Sequence, residues 1–317
     1  MGGMSGEMVF INASLASGDI LPLLLKRGIA SDMRASTGVA REALFYDEIA
    51  ASLEMENLVK SYYSHGDMAT GECCTLMECV VDAIPCGVFL GPGNPNNWSV
   101  KDKMTEMCAG NPNAIEITSQ FFDLYARMHA HYWKDDSMSH KGWLRGADWI
   151  KGEGQAKWEA SQKVASGGWA KMLDKIEKGD HDVVWDEHLL ACMKVSFSKL
   201  SWEVYQQELK ERPYCLVQGD AHPHNALWCN QRTPDAHIKL IDFEMIGLGS
   251  PGQELGQYVI SHMDPALRRE HADTLVRGYY DTLMNQLKEN GKEETFTYEQ
   301  CFGEYVNGGF GRWVDRK

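Results

Sequence analysis

Two short segments constrain this chain more than any others: Gln218-Gly219-Asp220-Ala221-His222-Pro223-His224-Asn225 and Leu240-Ile241-Asp242-Phe243-Glu244. Between them, Ala226 to Cys229 and Ile238 to Ile241 are short apolar runs, separated by a polar, proline-containing stretch from Asn230 to His237. Such a pattern predicts a β-hairpin. Asn225 then precedes one strand and Asp242 follows the other. The ends of an antiparallel pair lie side by side, with opposed Cβ atoms about 5 Å apart. An amide oxygen and a carboxylate so placed can share one cation. Hard oxygen ligands favour Mg²⁺, which completes its shell with water and phosphate oxygens.

Asp220 stands five residues before Asn225. Protein kinases use this spacing to mount a proton-accepting Asp and a metal-holding Asn on one turn. Phosphoryl transfer needs positioning and charge neutralisation more than covalent help, so base and metal ligands belong on one rigid scaffold. Alone the spacing is weak, because Asp and Asn also serve ordinary turns. The joint pattern is specific: the apolar run Tyr214 to Val217, the turn, the hairpin, then Ile-Asp-Phe-Glu.

With Gly-Asp-x-His-x-x-Asn followed by Ile-Asp-Phe-Glu, the sequence resembles the aminoglycoside phosphotransferase and choline kinase superfamily, including its ecdysteroid-kinase-like (CHK kinase-like) branch. The resemblance runs from about Gly2 to about Tyr280, is strongest between Tyr214 and Tyr258, and is loose between Trp133 and Arg212. It implies an α+β, two-lobed protein-kinase-like fold, with a small β-rich N-lobe over 1–81 and a larger, mainly helical C-lobe over 82–317. It also implies ATP- and Mg-dependent transfer of the γ-phosphate to a hydroxyl of a small aminoglycoside-, choline- or sterol-like acceptor. By motif position Asp220 is the expected catalytic base, and Asn225 and Asp242 are the expected metal ligands. The family has His-Gly-Asp where this chain has Gln218-Gly219-Asp220. A catalytically weak pseudokinase, or nucleotide-binding regulatory module, is therefore the alternative.

Gly2 to Glu7 is glycine-rich, Met8 to Leu15 alternates as a half-buried strand, and Ile20 to Lys26 reads as a second strand beyond a turn. Glycines let backbone N–H groups approach phosphates, and a lysine ammonium neutralises them. The opening segment is similar to the family's Gly-Gly-x-Ser-Asn-Glu loop, which makes Gly2, Gly3 and Ser5 the implied phosphate contacts. The family strand ahead of that loop is missing, so the N-lobe is read as lacking its first strand. Ser36 or Thr37 is the expected cap of a helix carrying Val39, Ala43, Tyr46, Ala50 and Leu53 on one stripe. Within it, Arg41 to Tyr46 is similar to the family's Arg-Glu-x-x-Phe-Tyr, implying that Glu42 pairs with Lys26. Without the resemblance, Glu42 is an ordinary surface acid. Thr75 to Val81 is an apolar strand at the implied interlobe hinge, where the backbone of Met77, Glu78 and Cys79 is expected to meet adenine.

The remainder reads as mainly helical, with helices over 115–133, 187–211 and 267–288 and a loop over 85–97. Seven of the ten tryptophans fall between Trp133 and Trp202; core packing is their ordinary role, an aromatic substrate cage the sharper one. His129 and His131 face different ways on a helix, which favours packing over ligation. His222 and His224 read as loop braces rather than zinc ligands. Nine scattered cysteines without a Cys-x-x-Cys pair argue against both a disulfide framework and a zinc site, and together with the lack of a signal or membrane-span pattern they predict a cytoplasmic protein without membrane partners. A net charge of −14 argues against a nucleic-acid partner. It fits a cationic acceptor, although solubility is its simplest meaning. Asp264, Glu270, Asp273 and Asp281 are the acids expected to attract an amine to a pocket opening onto Asp220.

Overall fold

A computed structural model describes residues 6–93, 95–181, 184–199, 201–260 and 262–315. The amino-terminal part is a four-stranded antiparallel sheet of β1 (Glu7–Ser14), β2 (Ile20–Gly28), β3 (Ser61–Gly66) and β4 (Cys73–Glu78), in the order β1-β2-β4-β3. Its register sets Lys26 between Met8 and Thr75. The alternation read over Met8 to Leu15 is only partly realised, because Ile11 and Leu15, on the expected buried face, are exposed. The reason is that β1 lies at the sheet edge opposite β3.

Two helices follow β2: α1 (Asp32–Thr37) and α2 (Arg41–Glu48). Ser31 caps α1; Ser36 and Thr37, expected to cap the helix beyond Val39, lie inside α1 with their hydroxyls turned back to the Met33 carbonyl. The second helix has no side-chain cap and is held by packing instead. Ser64 Oγ on β3 donates to the Ala43 carbonyl at 2.8 Å, and the Phe45 ring stacks on Phe243 at 4.0 Å.

Beyond β4 come β5 (Ile84–Pro85), β6 (Cys215–Val217), β7 (Ala226–Cys229), β8 (His237–Leu240) and β9 (Gly247–Gly249), forming the small antiparallel sheets β5-β7-β8 and β6-β9. The expected hairpin is β7-β8, with Ala226 opposite Leu240. The other elements are helices: α3 (Met104–Cys108), α4 (Ala114–His131), α5 (Asp136–Ser139), α6 (Ala147–Ile150), α7 (Gln155–Lys178), α8 (Glu187–Lys199), α9 (Trp202–Glu211), α10 (Pro251–Ile260), α11 (Pro265–Glu289) and α12 (Tyr298–Asp315). The fold is thus α+β, a small sheet joined to a larger helical part, as the sequence led us to expect. An Asn113–Glu116 capping box starts α4, which packs on α11, while α10 packs on α12. Their core is aromatic: Phe121, Tyr125, Tyr258 and Tyr279 are all fully buried. Among the described residues, no helix is long and apolar enough to cross a membrane.

Candidate active site

Lys26 on β2 bonds both carboxylate oxygens of Glu42 on α2, at 3.0 and 2.9 Å. Burial disfavours the Lys26 charge, but Glu42, then Asp242 and Glu244, outweigh it and raise its pKa above the ordinary value. Lys26, Glu42 and Glu244 line one small pocket, and Asp242 lies close enough for its charge to act on Lys26. Contacts to the helical part anchor α2. Arg41 Nε donates to the Trp143 carbonyl at 3.0 Å, and Lys141 pairs with Glu48 at 2.5 Å.

The hairpin brings Asn225 and Asp242 together as its register requires. Ile241 N donates to the Asn225 carbonyl at 3.0 Å, and Asp242 follows with φ of 64°. The Asn225 amide nitrogen donates to the Asp220 carbonyl at 3.0 Å, which fixes Oδ1 as the other, acceptor end of the amide. Burial first, then Glu42 and Asp220, raise the Asp242 carboxyl above its ordinary value despite Lys26. Crowded carboxylates beside an amide oxygen form a donor set that suits a hard divalent cation.

Asp220 sits in a turn that only glycine permits one residue earlier: Gly219 has φ of 79°, and a Cβ there would stand 2.0 Å from the Met245 carbonyl oxygen. Gln257 Nε2 on α10 donates to Asp220 Oδ1 at 2.8 Å, with His222 Nε2 4.0 Å from the same oxygen. Gln218, where the resemblance implies a histidine, is tied into the fold by its own side-chain hydrogen bonds. Fully buried, Gln218 donates from Nε2 to the carbonyls of Ile241 at 2.5 Å and Asp242 at 3.0 Å, and accepts the Tyr125 hydroxyl.

Sequence reasoning missed the group beneath this turn. Glu254 on α10, wholly buried, accepts the N–H groups of Gln218 at 3.0 Å and Gly219 at 2.8 Å. Its Oε2 also lies 3.0 Å from His129 Nε2, whose other ring nitrogen meets the Tyr279 hydroxyl at 2.8 Å. One signal could have found it: Glu254 is the single charged residue of α10. Gln257 and His262 carry no comparable mark.

At the hinge, β4 ends at Glu78 rather than reaching Val81. The N–H groups of Glu78 and Cys79 donate to the carbonyls of Lys60 at 2.9 Å and Pro22 at 3.0 Å. Met77 is buried within the ladder, and the Glu78 carboxylate bonds Lys60 N and Lys239 Nζ. The Glu78 and Cys79 N–H groups that were expected to meet adenine are thus taken up within the sheet. Gly2, Gly3 and Ser5 lie outside the described residues.

The tryptophans mostly pack against one another's helices: Trp158 stacks on Tyr205 at 5.4 Å, and Trp169 on Phe197 at 5.4 Å. A cavity of about 260 Å³ is lined by Trp149, Tyr205, Tyr214 and Met245 among others, without Asp220 in its wall. Asp264 caps α11 and Asp273 accepts the Tyr298 hydroxyl, so both serve the helix rather than an amine pocket. Beside the turn, burial first and then neighbouring histidines push His224 and His262 down to about 4.

The chain is similar to small-molecule kinases. Solved structures resembling it include choline kinase LicA from Streptococcus pneumoniae, at 14% identity over 98% of this chain and 92% of that one, TM-score 0.39. A Plasmodium vivax ethanolamine kinase matches at 10% identity over 97% and 74%, TM-score 0.41. The GDP complex of wild-type aminoglycoside 2'-phosphotransferase-IIIa matches at 15% over 94% and 82%, TM-score 0.39. A family profile described as "Uncharacterized oxidoreductase dhs-27" matches residues 211–307, the stretch holding Asp220, Asn225 and Asp242. No curated protein matches. At such identities no residue role is carried over from these proteins.

Proposed function

We propose that this chain is an ATP- and Mg²⁺-dependent phosphotransferase acting on a hydroxyl of a small molecule. One observation carries the reading: two sets of residues distant in sequence come close enough for their charges to act on one another. Lys26 and Glu42 come from the sheet and α2; Asp220, Asn225 and Asp242 come from the turn and hairpin; and Asp242 feels both Lys26 and Asp220.

In this reading Glu42 holds Lys26 on the phosphates, and Gly2, Gly3 and Ser5 cover them. Mg²⁺, held by Asn225 Oδ1 and Asp242, would supply charge neutralisation on the phosphate oxygens. The acceptor oxygen attacks the γ-phosphorus, the bond to the β–γ bridging oxygen breaks, and the hydroxyl proton passes to Asp220. Gln257 fixes the rotamer of that carboxylate. The lobes are 1–81 and 82–317, with adenine at the strap after Cys79. A cationic acceptor suits the net charge of −14.

The test is ATP consumption over a panel of aminoglycosides, choline, ethanolamine, sterols and sugars, with Asp220→Ala as control. Turnover by wild type alone supports the reading. Mg-ATP binding without turnover on any acceptor would favour the regulatory module. The Gln218 brace argues against that module, because the amide makes the contacts to the Asp242 segment.

A further inference from the structure

Three histidines from two segments converge beside the turn. His222 and His224 belong to it, and His262 follows α10. One ring nitrogen of each lies within 4.8 Å of the others. The rings of His222 and His262 are nearly parallel, 17° apart with centroids at 5.5 Å, and the His224 centroid is 6.3 and 5.8 Å from theirs. We propose that this cluster binds a first-row transition metal of the zinc class, at a site separate from the oxygen-lined pair Asn225 and Asp242.

Among the described residues, Nδ1 of His224 and Nδ1 of His262 are buried with no hydrogen-bond partner. Buried polar atoms in that condition are costly, and a shared ligand relieves both at once. His224 is already oriented to ligate. Its Nε2 lies 3.2 Å from Asn97 Oδ1. Asn97 is fully buried, and its Nδ2 donates to the carbonyls of Gly87 and Gly91 at 2.8 Å each, which fixes Oδ1 as the end facing the ring. The ring proton therefore sits on Nε2 and the lone pair on Nδ1. Metal-bound histidines characteristically donate their second N–H to an oxygen in this way. Gly87 makes the room: a Cβ there would stand 2.0 Å from His224 Cε1.

Imidazole donors select zinc, copper or nickel over magnesium. Three of them with a fourth position open to water form a recurrent zinc arrangement. A tetrahedral ion with bonds of about 2.0–2.1 Å needs its ligand nitrogens about 3.4 Å apart, so the rings must swing inward by about 1 Å. His222 must also release the His224 backbone N–H, which it accepts on Nδ1 at 3.2 Å, a long and weak bond. If Asp220 is the base of the proposed transfer, a dication here lowers its basicity, since His222 Nε2 is 4.0 Å from Asp220 Oδ1.

Cobalt(II) is the probe, added without nucleotide to tag-free, chelator-treated full chain, so that kinase inactivity does not bear on the outcome. The expected result is one equivalent per chain with the visible bands of four-coordinate, nitrogen-bound cobalt, displaced by Zn²⁺ and not by Mg²⁺. His262→Ala and His262→Gln should each weaken binding at least tenfold. Cys192→Ser should not, although Cys192 and His188 form a competing soft-donor pair at 3.6 Å. Unchanged affinity in a folded His262 variant, no stoichiometric binding, or a thiolate charge-transfer band in the wild type would each overturn the site. The last criterion applies even if both His262 variants fail to fold.

Discussion

The Gln218 side-chain nitrogen donates to the main-chain oxygen of Asp242 at 3.0 Å, tying the turn that carries Asp220 to the end of the hairpin. Gln218→Leu keeps the volume but removes a buried hydrogen-bond partner from two carbonyls and from the Tyr125 hydroxyl. A loss of about 2–4 kcal/mol is expected, with weaker Mg-dependent nucleotide binding. Gln218→His should recover part of it, because an imidazole N–H can serve one carbonyl. A leucine variant with the wild-type urea midpoint would remove the brace.

Glu254 supports the same turn from below through the N–H groups of Gln218 and Gly219. Glu254→Gln turns one of its acceptor oxygens into a donor facing a donor. It should cost about 2–3 kcal/mol in chemical unfolding. A double-mutant cycle with His129→Ala should return a coupling of about 1 kcal/mol or more, since the two side chains meet at 3.0 Å. Simple additivity would mean that the buried contact does not act as a network.

The hairpin and its flanking Asn225 and Asp242 were legible because their signal is local: apolar runs, a turn, and acids at fixed offsets. The fold class was legible for the same reason, and Lys26 and Glu42 met where the resemblance implied. Glu254, Gln257 and His262 were not legible, because α10 reaches the turn only through tertiary packing. The misread cap at Ser36 and Thr37 has a similar cause. The stacking of Phe45 on Phe243, nearly 200 residues away in sequence, holds α2 in place of a local cap. The strand expected to reach Val81 stops at Glu78 because β3 begins only at Ser61 and Pro22 on β2 has no N–H to extend the ladder.

Asp220→Ala should lower phosphoryl transfer by at least 10²-fold, the scale of positioned proton acceptors. Fold and nucleotide affinity should change little, because its carboxylate bonds Gln257 and belongs to none of the bracing contacts of Gln218 and Glu254. Turnover within a few-fold of wild type would end its assignment as base.

Asp242→Asn should separate stability from binding. The folded Asp242 pKa is raised by burial, then by Glu42 and Asp220. A carboxyl raised on folding contributes stability below its unfolded pKa and loses it as pH rises through the folded one, so at pH 7 the ionised group is a cost. Neutral asparagine should raise the melting temperature of the nucleotide-free chain by a few degrees, for about 1 kcal/mol. It should also weaken Mg-dependent nucleotide binding at least tenfold, and more than Asn225→Ala does. Calorimetry with and without Mg²⁺ decides this. Unchanged metal dependence in both variants counts against a shared site.

His224 and His262 set the acid limb of stability. Burial first, then neighbouring histidines, push both down to about 4, with Asp220 opposing the shift at His262. Unfolded, each titrates near 6.5. Between those values the unfolded chain binds more protons than the folded one, so stability rises with pH across that window and falls as pH drops from about 6.5 towards 4. Both rings are partly exposed, and solvent screening holds their joint effect to the order of 1–2 kcal/mol. Carboxylates dominate below about pH 5, which leaves pH 5–6.5 as the diagnostic range. In chelator, to keep metal from holding the rings neutral, the wild-type melting temperature should fall between pH 6.5 and 5. His262→Gln should flatten that fall by up to half. Parallel pH profiles for the two proteins would show that the histidine cluster is not what titrates.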